Sequence, residues 1–456
     1  MITVAFMTLG CKVNYYESKK LSDKFQNAGA KIVSFAEKAD IYIVNTCTVT
    51  NIADRKSRKM LHRAKRINEK AYVVALGCYV EANKDILAED LMIDMFIGND
   101  EKENAFSMIM DKYQQISKND NNVAKCTDVK SAESVETAED KDHIFDENER
   151  TRAYIKIQDG CNQFCSYCKI PYVRGRLKSR DEKEIIKEIT ELAASGYKEV
   201  VVTGIHLSSY GVDKSEFKVF TELKGKPLIN LAEEIAGIDG IERIRFGSLE
   251  PRIITEDFVS ELAKNKKICP HFHLALQSGC DKTLAAMNRK YSAKEYEDAC
   301  NIIKKYYDRP ALTTDVIVGF PGETEKDFEE SRDFVKKIRF SDLHVFKYSP
   351  RNGTKAAAMK EQIPESVKHE RSSELIGVGA ELTREYMSSF TGETQKCLVE
   401  EKVIYDDIEY YTGHNERYIK LIFEADGKDS DIINDIVDVV PTEIYMGDML
   451  LCQKKP

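Results

Sequence analysis

The sequence predicts an α/β chain in three parts. An open α/β domain covers residues 1–116, an incomplete (β/α)6 barrel covers 150–380, and a small antiparallel β-barrel covers 381–456. Three observations carry this prediction. Short β-branched runs alternate with amphipathic helical stretches in the first part. Six further strand–helix alternations follow in the second. In the last part the pattern changes to a period of two, as half-buried strands require. A chain of 456 residues is long enough for two or three separate cores.

The first part offers strands at Ile2–Met7, Ile41–Val44 and Tyr72–Ala75, with helices over Tyr15–Ala28 and Ile52–Ile67. Each strand runs into a cysteine: Gly10-Cys11, Asn45-Thr46-Cys47 and Gly77-Cys78. In an open parallel sheet the carboxyl ends of the strands share one edge, so Cys11, Cys47 and Cys78 converge. Three thiolates suit an iron–sulfur cluster with one open iron. The alternative is three small buried core residues, a common use of cysteine. The run Arg55–Arg66 is the strongest basic patch of the chain. On a helix, Arg55, Arg58, Lys59, His62 and Arg66 line one face, while Ser57, Met60, Leu61, Ala64 and Ile67 line the other. The apolar face docks on the sheet and the cations point outward, as RNA phosphates require or as an ordinary solvated face allows.

Residues 117–149 read as an acidic linker or insertion. Between Asp128 and Glu149 there are nine Asp/Glu against two Lys, with few apolar residues, and Cys126 in this stretch is not expected to be a ligand.

The central part offers strands at Tyr154–Ile157, Glu199–Thr203, Arg243–Phe246, Phe272–Ala275, Thr313–Val318 and Leu343–Phe346, with helices between them. Chemistry in such a barrel belongs at the carboxyl ends of the strands. There the first strand delivers Gly160-Cys161-Asn162-Gln163-Phe164-Cys165-Ser166-Tyr167-Cys168. Cys161, Cys165 and Cys168, at C-x3-C-x2-C spacing, can close over one face of an iron–sulfur cube. With no fourth cysteine or histidine close behind, one iron stays open to a small ligand. A structural zinc site, the bland reading, wants four closed ligands. Phe164 and Tyr167 would screen the cluster from water. The other strand ends carry Gly204, then Ser248 and Glu250, then Gln277, then Gly319, with Arg289 after the fourth strand. Glycine at such a place lets a ligand approach the backbone closely. Arg174 and Arg176, just beyond the cysteine loop, add a second basic stretch that suits RNA phosphates or a ligand carboxylate.

A helix over Glu365–Ser388 leads to the last part, with strands at Lys396–Glu401, Glu409–Gly413, Tyr418–Phe423, Ile436–Thr442 and Met449–Cys452. Residues 381–456 hold 17 Asp/Glu against 8 Lys/Arg, which is unpromising for a phosphate grip. RNA contact here rests on a few residues such as Arg417, Tyr418 and Lys420.

Composition excludes several classes. With 42% hydrophobic and 32% charged residues the chain is of ordinary soluble type, and no apolar run approaches a membrane span. Met1 leads into strand-like sequence rather than a signal peptide, so a cytoplasmic location is expected. Twelve cysteines in such a chain favour metal ligation and free thiols over disulfides. The net charge of −9 leaves any nucleic acid to be held by local basic patches.

The loop C-x3-C-x-aromatic-C after a strand resembles the radical S-adenosylmethionine (SAM) superfamily. Gly10-Cys11-Lys12-Val13-Asn14, Glu17-Ser18, Asn45-Thr46-Cys47-Thr48-Val49-Thr50 and Gly77-Cys78 resemble the amino-terminal domain of the methylthiotransferases within it. The resemblance implies two [4Fe–4S] clusters, one on Cys161, Cys165 and Cys168 and a second, sulfur-delivering one on Cys11, Cys47 and Cys78. It implies that SAM is chelated by the open iron and cleaved to a 5′-deoxyadenosyl radical, with Gly204, Ser248, Glu250, Gln277, Arg289 and Gly319 around it. A reducing electron donor such as a flavodoxin or ferredoxin is then needed. It further implies that the last part is the RNA-gripping TRAM domain.

Within the family, Gly10–Asn14, Ala53–Arg58 and Lys156–Asn162 look most like the branch acting on N6-threonylcarbamoyladenosine, the adenosine 3′ of the tRNA anticodon at position 37. The product there is the 2-methylthio derivative, made when the radical abstracts hydrogen from adenine C2. The tRNA contacts expected are Arg55, Arg58, Lys59, Arg66, Arg174 and Arg176. The alternatives are the isopentenyladenosine-37 or ribosomal-protein branches. From other classes, an iron–sulfur electron carrier or sensor and an RNA-binding module with structural clusters remain.

Overall fold

Five parallel strands form the first sheet: β1 (Thr3–Thr8), β2 (Lys31–Val33), β3 (Ile41–Thr46), β4 (Tyr72–Gly77) and β5 (Met95–Ile97), in the order β2-β1-β3-β4-β5. The computed structural model describes residues 1–87, 89–119, 151–214, 223, 225–425 and 432–455. Most of the acidic stretch at 117–149, with Cys126, lies outside the described residues. The chain divides into two units, Met1–Glu147 with Lys169–Gly175, and Asn148–Cys168 with Arg176–Pro456.

In the first unit β3 and β4 are buried along their whole length. A strand covered on both faces must be apolar throughout, hence the β-branched runs. The helix Asn51–Ile67 covers one face through Met60, Leu61 and Ala64, which pack on Tyr42, Val44, Val73 and Ala75. The helices Lys12–Asn27 and Ala105–Asn119 cover the other, where Leu21, Phe25 and Ile109 meet Ile41, Ile43 and Val74. The helix Ala105–Asn119 carries the fold past the expected boundary at 116. In the strand order 2-1-3-4-5 the topological switch lies between β1 and β3, which pair in parallel from Val4↔Ile41 to Thr8↔Asn45. Ligands of open α/β sheets gather at that place.

The second unit holds β6 (Arg152–Asp159), β7 (Lys178–Ser179), β8 (Glu199–Gly204), β9 (Arg243–Phe246), β10 (His271–His273), β11 (Ala311–Val318) and β12 (Asp342–Lys347). They form the ladders β7-β6-β8-β9 and β10-β11-β12, linked by the parallel bridge Leu249↔Leu274. The six strands expected from sequence are therefore the six parallel strands of a partial barrel. The two-residue β7, antiparallel to β6, is an addition within what read only as a basic stretch.

The last five strands are β13 (Gln395–Tyr405), β14 (Ile408–His414), β15 (Lys420–Glu424), β16 (Ile436–Tyr445) and β17 (Met449–Lys454). They close a barrel in the order β13-β14-β15-β17-β16. The expectation of a wholly antiparallel barrel needs correction, because β15 and β17 run parallel. The reason is parity: an odd ring of strands cannot alternate direction all the way round.

This closed barrel is fastened to the amino-terminal ends of the partial-barrel strands. Glu199, fully buried at the start of β8, accepts from Arg152 Nε at 2.7 Å and Arg245 Nε at 2.9 Å. Arg152 also reaches Glu400 at 2.7 Å, and Arg243 donates to the carbonyls of Lys396 and His414 at 2.8 and 3.0 Å. The Tyr418 ring has the Arg152 and Arg245 guanidinium groups at 4.9 and 4.8 Å and stacks on His414 at 4.4 Å. Arg417 donates to the carbonyls of Arg309 and Asp308. Arg417 and Tyr418 are thus engaged in docking this barrel, which corrects the expectation that they meet RNA.

Two candidate cysteine centres

In the first unit each candidate cysteine sits just past a strand of the sheet. Cys11 is the N-cap of the helix that follows β1. Cys47 follows β3, and Cys78 opens a short helix directly after β4. They converge because the three strands are parallel and adjacent. Gly10 marks how tightly: at its φ of +95° a Cβ would lie 2.7 Å from Cys47 Sγ, so only glycine fits. Asn14 ties the turns together, its Nδ2 donating to the carbonyls of Leu9 and Thr46 at 2.8 and 3.0 Å. Asn45 does the same through the Asn14 carbonyl and Ser18 Oγ, at 2.9 and 3.0 Å. The phrases Gly10–Asn14 and Asn45–Cys47 are therefore a scaffold for the thiols. Burial pushes the Cys47 thiol up to about 12.

A cation faces these thiols. Arg174, from the seven-residue return Lys169–Gly175, has a 1% exposed side chain. Its Nε donates to Cys78 Sγ at 3.2 Å, its Nη1 to Glu17 at 3.0 Å and its Nη2 to Asn14 Oδ1 at 2.5 Å. Lys102 completes the group with Glu17 at 2.5 Å and Asn45 Oδ1 at 3.2 Å. Arg174 therefore does not face RNA phosphates as expected from sequence; burial and three acceptors commit it to the thiol site. Sequence reading missed Lys102 altogether, a lone lysine beyond the last strand.

In the second unit the other three cysteines ride a loop beyond β6. Gly160 and Phe164 adopt left-handed φ of +67° and +49°, which curl the loop back on itself. The turn Met287–Arg289 clips it down. Ser166 N donates to the Met287 carbonyl at 2.9 Å, Asn288 Nδ2 to the Phe164 carbonyl at 2.9 Å, and Arg289 Nη1 to Cys165 Sγ at 3.3 Å. Arg289 thus donates to a thiol, with its guanidinium over the Tyr291 ring. Burial pushes the Cys161 thiol up to about 11.

Around this loop, Tyr167 donates to Gln277 Oε1 at 3.0 Å, and Arg252 Nη2 to Gln163 Oε1 at 3.2 Å. Gln277 takes a φ of +67° between the β10 and β11 chains. Glu250 is buried and joined to His206 Nε2 at 2.7 Å and to Arg252. Burial opposes its charge, but these two partners outweigh burial and lower its carboxyl to about 2. His206 and Arg252 went unnoticed in the sequence, since single polar residues between elements give no pattern. Ser248 is exposed.

Two of the glycines expected near the ligand have their Cβ side occupied. The space beside Gly204 is filled by Gln158, whose Oε1 would lie 2.9 Å from an added Cβ. That beside Gly319 is filled by the Lys368 side chain, which an added Cβ would strike. On the side where a Cβ would stand, neither glycine leaves room for a ligand. At Gly204 a neighbouring side chain packs in the Cβ direction, and at Gly319 the same packing adds to a left-handed φ of +71°.

The basic helix divides as expected. Ser57, Met60, Leu61 and Ala64 are buried, while Arg55, Arg58, Lys59 and Arg66 are exposed and make no salt bridge among the described residues. His62 pairs with Asp90 at 2.7 Å. Exposed Val49 and Ile52 lie beside the start of this helix. Arg176 is exposed, its guanidinium over the Phe164 ring at 4.6 Å.

Both thiol sets fit an anionic metal cluster. The described cysteines are free thiols, and in each set an arginine N–H is aimed at a sulfur. Such a donor is best matched by a thiolate. No helix among the described residues is long and apolar enough to cross a membrane.

Residues 155–335 match the model of the radical SAM superfamily, and residues 3–98 that of the uncharacterised protein family UPF0004. The threonylcarbamoyladenosine tRNA methylthiotransferase MtaB of Bacillus subtilis (strain 168) is 39% identical over 96% of this chain and 93% of its own. The MtaB of Aquifex aeolicus (strain VF5) is 38% identical over 88% and 93%. A tRNA-2-methylthio-N(6)-dimethylallyladenosine synthase of Clostridium botulinum (strain Okra / Type B1) is 35% identical over 86% and 85%. Among solved structures, the radical SAM methyltransferase TsrM of Kitasatospora setae superposes with a TM-score of 0.52 at 15% identity. It covers 76% of this chain and 73% of its own, a likeness of fold.

Proposed function

The chain belongs to the radical SAM methylthiotransferases, and we propose that it places a methylthio group on C2 of N6-threonylcarbamoyladenosine at position 37 of tRNA. The observation that carries this reading is the pair of open three-cysteine sets in one chain, each with an arginine donating to a thiol. Electron carriers need no second open site, and structural metal sites are closed. The choice of threonylcarbamoyladenosine follows the relatives from Bacillus and Aquifex, which match at higher identity than the dimethylallyladenosine synthase.

In this reading Cys161, Cys165 and Cys168 hold the cluster that binds SAM, and Cys11, Cys47 and Cys78 hold the second. Bound there, the clusters and SAM supply radical C–H cleavage and sulfur transfer, chemistry that side chains do not provide. The protein's own part is placement and charge. Arg289 and Arg174 offset thiolate charge at one ligand of each set. Phe164 and Tyr167 shield the first loop from water, and Tyr167 is held by Gln277. Glu250, fixed as an anion by His206 and Arg252, offers negative charge for the ammonium of SAM, with Ser248 and Gln277 as further contacts.

Arg55, Arg58, Lys59, Arg66 and Arg176 are the cations left free for RNA phosphates. A small reducing protein of the flavodoxin or ferredoxin class supplies electrons in the cytoplasm. The closing strands, residues 381–456, correspond in place to a TRAM domain.

The test is mass spectrometry of nucleosides from tRNA incubated anaerobically with the reconstituted protein, SAM and reductant. The expected product is 2-methylthio-N6-threonylcarbamoyladenosine, absent with Cys165→Ala and with Cys47→Ala. If only the isopentenyl analogue gains mass, the chemistry stands and the substrate assignment falls. Cleavage of SAM with no change in any nucleoside removes tRNA as the substrate.

A further inference from the structure

We propose that His273, Asp315 and His344 form a binding site for a divalent transition-metal ion of the Zn2+ type, independent of the six cluster cysteines. The three residues lie on adjacent strands β10, β11 and β12, with His273 opposite Thr313 and Asp315 opposite His344. They share one face of the sheet. Thr314 and Val316, which alternate with them, are buried on the other face, where Tyr296 OH reaches Thr314 Oγ1 at 3.3 Å. The helix Glu365–Ser388 packs on Leu343 through Gly379, again opposite to His344. One ligand atom from each residue lies within 4.8 Å of the other two.

The spacing is the telling feature. His62–Asp90, His206–Glu250 and His414–Glu400 stand at 2.7, 2.7 and 2.8 Å, the length of a charge-assisted hydrogen bond. In the cluster, His273 Nε2 stands 3.3 Å from Asp315 Oδ2, and His344 Nδ1 stands 3.2 Å from Asp315 Oδ1. Neighbouring ligands of a tetrahedral zinc, each about 2.0–2.1 Å from the metal, are about 3.3 Å apart. These contacts are longer than those three pairs, at the upper end of hydrogen-bond length, and match the edge between ligands of a tetrahedral zinc.

Both rings are also held from behind, as metal-ligating histidines are. Thr313 Oγ1 lies 2.9 Å from His273 Nδ1, which turns Nε2 toward Asp315. Asp342 lies 3.3 Å from His344 Nε2, which turns Nδ1 the same way. Two imidazoles and one carboxylate suit Zn2+ or Fe2+ rather than Mg2+ or Ca2+. Three protein ligands leave a coordination position open to an oxygen donor.

The test uses the full-length enzyme, both clusters reconstituted anaerobically, equilibrated with Zn2+ and desalted. Zinc and iron are counted by mass spectrometry, and the zinc shell is read by X-ray absorption at the zinc edge. The expected result is one retained zinc per chain at unchanged iron content, with nitrogen and oxygen at about 2.0–2.1 Å and no sulfur at about 2.3 Å. His273→Ala and Asp315→Asn lose the zinc and keep the iron. Asp342→Asn, which only orients His344, weakens zinc binding about 10–100-fold. If His273→Ala loses iron through misfolding, His344→Ala at the half-exposed ring decides instead. Zinc in a sulfur shell with iron lost, no retained zinc, or variants that hold zinc like the parent would overturn the proposal.

Discussion

Replacing Arg174 with Met removes a cation from the Cys11, Cys47 and Cys78 site, proposed for the second cluster, without adding bulk. Its Nε–H lies 3.2 Å from Cys78 Sγ. With the cluster centre about 6 Å away and an effective dielectric near 20, a unit charge interacts with each added electron by about 3 kcal/mol. Since about 1.4 kcal/mol corresponds to 59 mV for one electron, the reduction potential should fall by on the order of 100 mV. Glu17 does not cancel this, because Lys102 still pairs with it at 2.5 Å. Arg174→Lys keeps the charge but cannot reach Cys78, Glu17 and Asn14 together, so its potential should fall by less.

The assay is an electron paramagnetic resonance redox titration in a Cys161→Ala, Cys165→Ala, Cys168→Ala background, where only the second cluster reports. A potential within about 20 mV of the parent, with iron content retained, would refute the reasoning, since hydrogen bonds to cluster sulfurs are a main control of potential.

Three further outcomes are expected. Arg55→Glu with Arg58→Glu should weaken tRNA binding and lower the slope of log affinity against log salt by about one for each phosphate left without its cation; an unchanged slope in fluorescence anisotropy would show a merely solvated face. Tyr418→Ala should lower the melting temperature and leave tRNA affinity alone, because its ring lies between Arg152 and Arg245; loss of affinity at unchanged melting would reverse that. Glu199→Gln leaves three arginines without their common anion and should cost about 3–5 kcal/mol. Burial raises the Glu199 carboxyl, but Arg245 and Arg152 outweigh this and hold it well below its ordinary 4.5. Its contribution is complete above pH 4.5 and is lost as pH falls further, so the variant should melt lower at pH 7 and show a shallower acid limb by circular dichroism.

Much of the fold was legible because its signals are local. Strands buried on both faces must be apolar runs, so β3 and β4 announced themselves and placed Cys47 and Cys78 at one edge. The three-residue β5 is too short to show a period. Arg174 was misread because sequence displays a charge but not the brief return of the chain, Lys169–Gly175, that buries it. Gly204 and Gly319 say only that space is needed; that Gln158 and Lys368 fill it depends on packing between distant segments. The parallel seam β15–β17 follows from the closure of five strands, which no single strand encodes. His273, Asp315 and His344 are far apart in sequence, and only the register of three strands brings them together.

The fastening of the closing barrel sets a length scale for the substrate. Arg152 opens β6 and the cysteine loop follows its far end, eight residues on. At about 3.3 Å per residue the two are roughly 25 Å apart. An RNA that touches the docked barrel while its reacting base sits at Cys161–Cys168 must bridge that span. An oligonucleotide that extends less than this from the reacting base should be modified with the same affinity whether or not the barrel's outer surface is altered. If the barrel does meet RNA, it can only sense parts of the substrate about that far from the reacting base, and so would discriminate by reach rather than by the identity of the base.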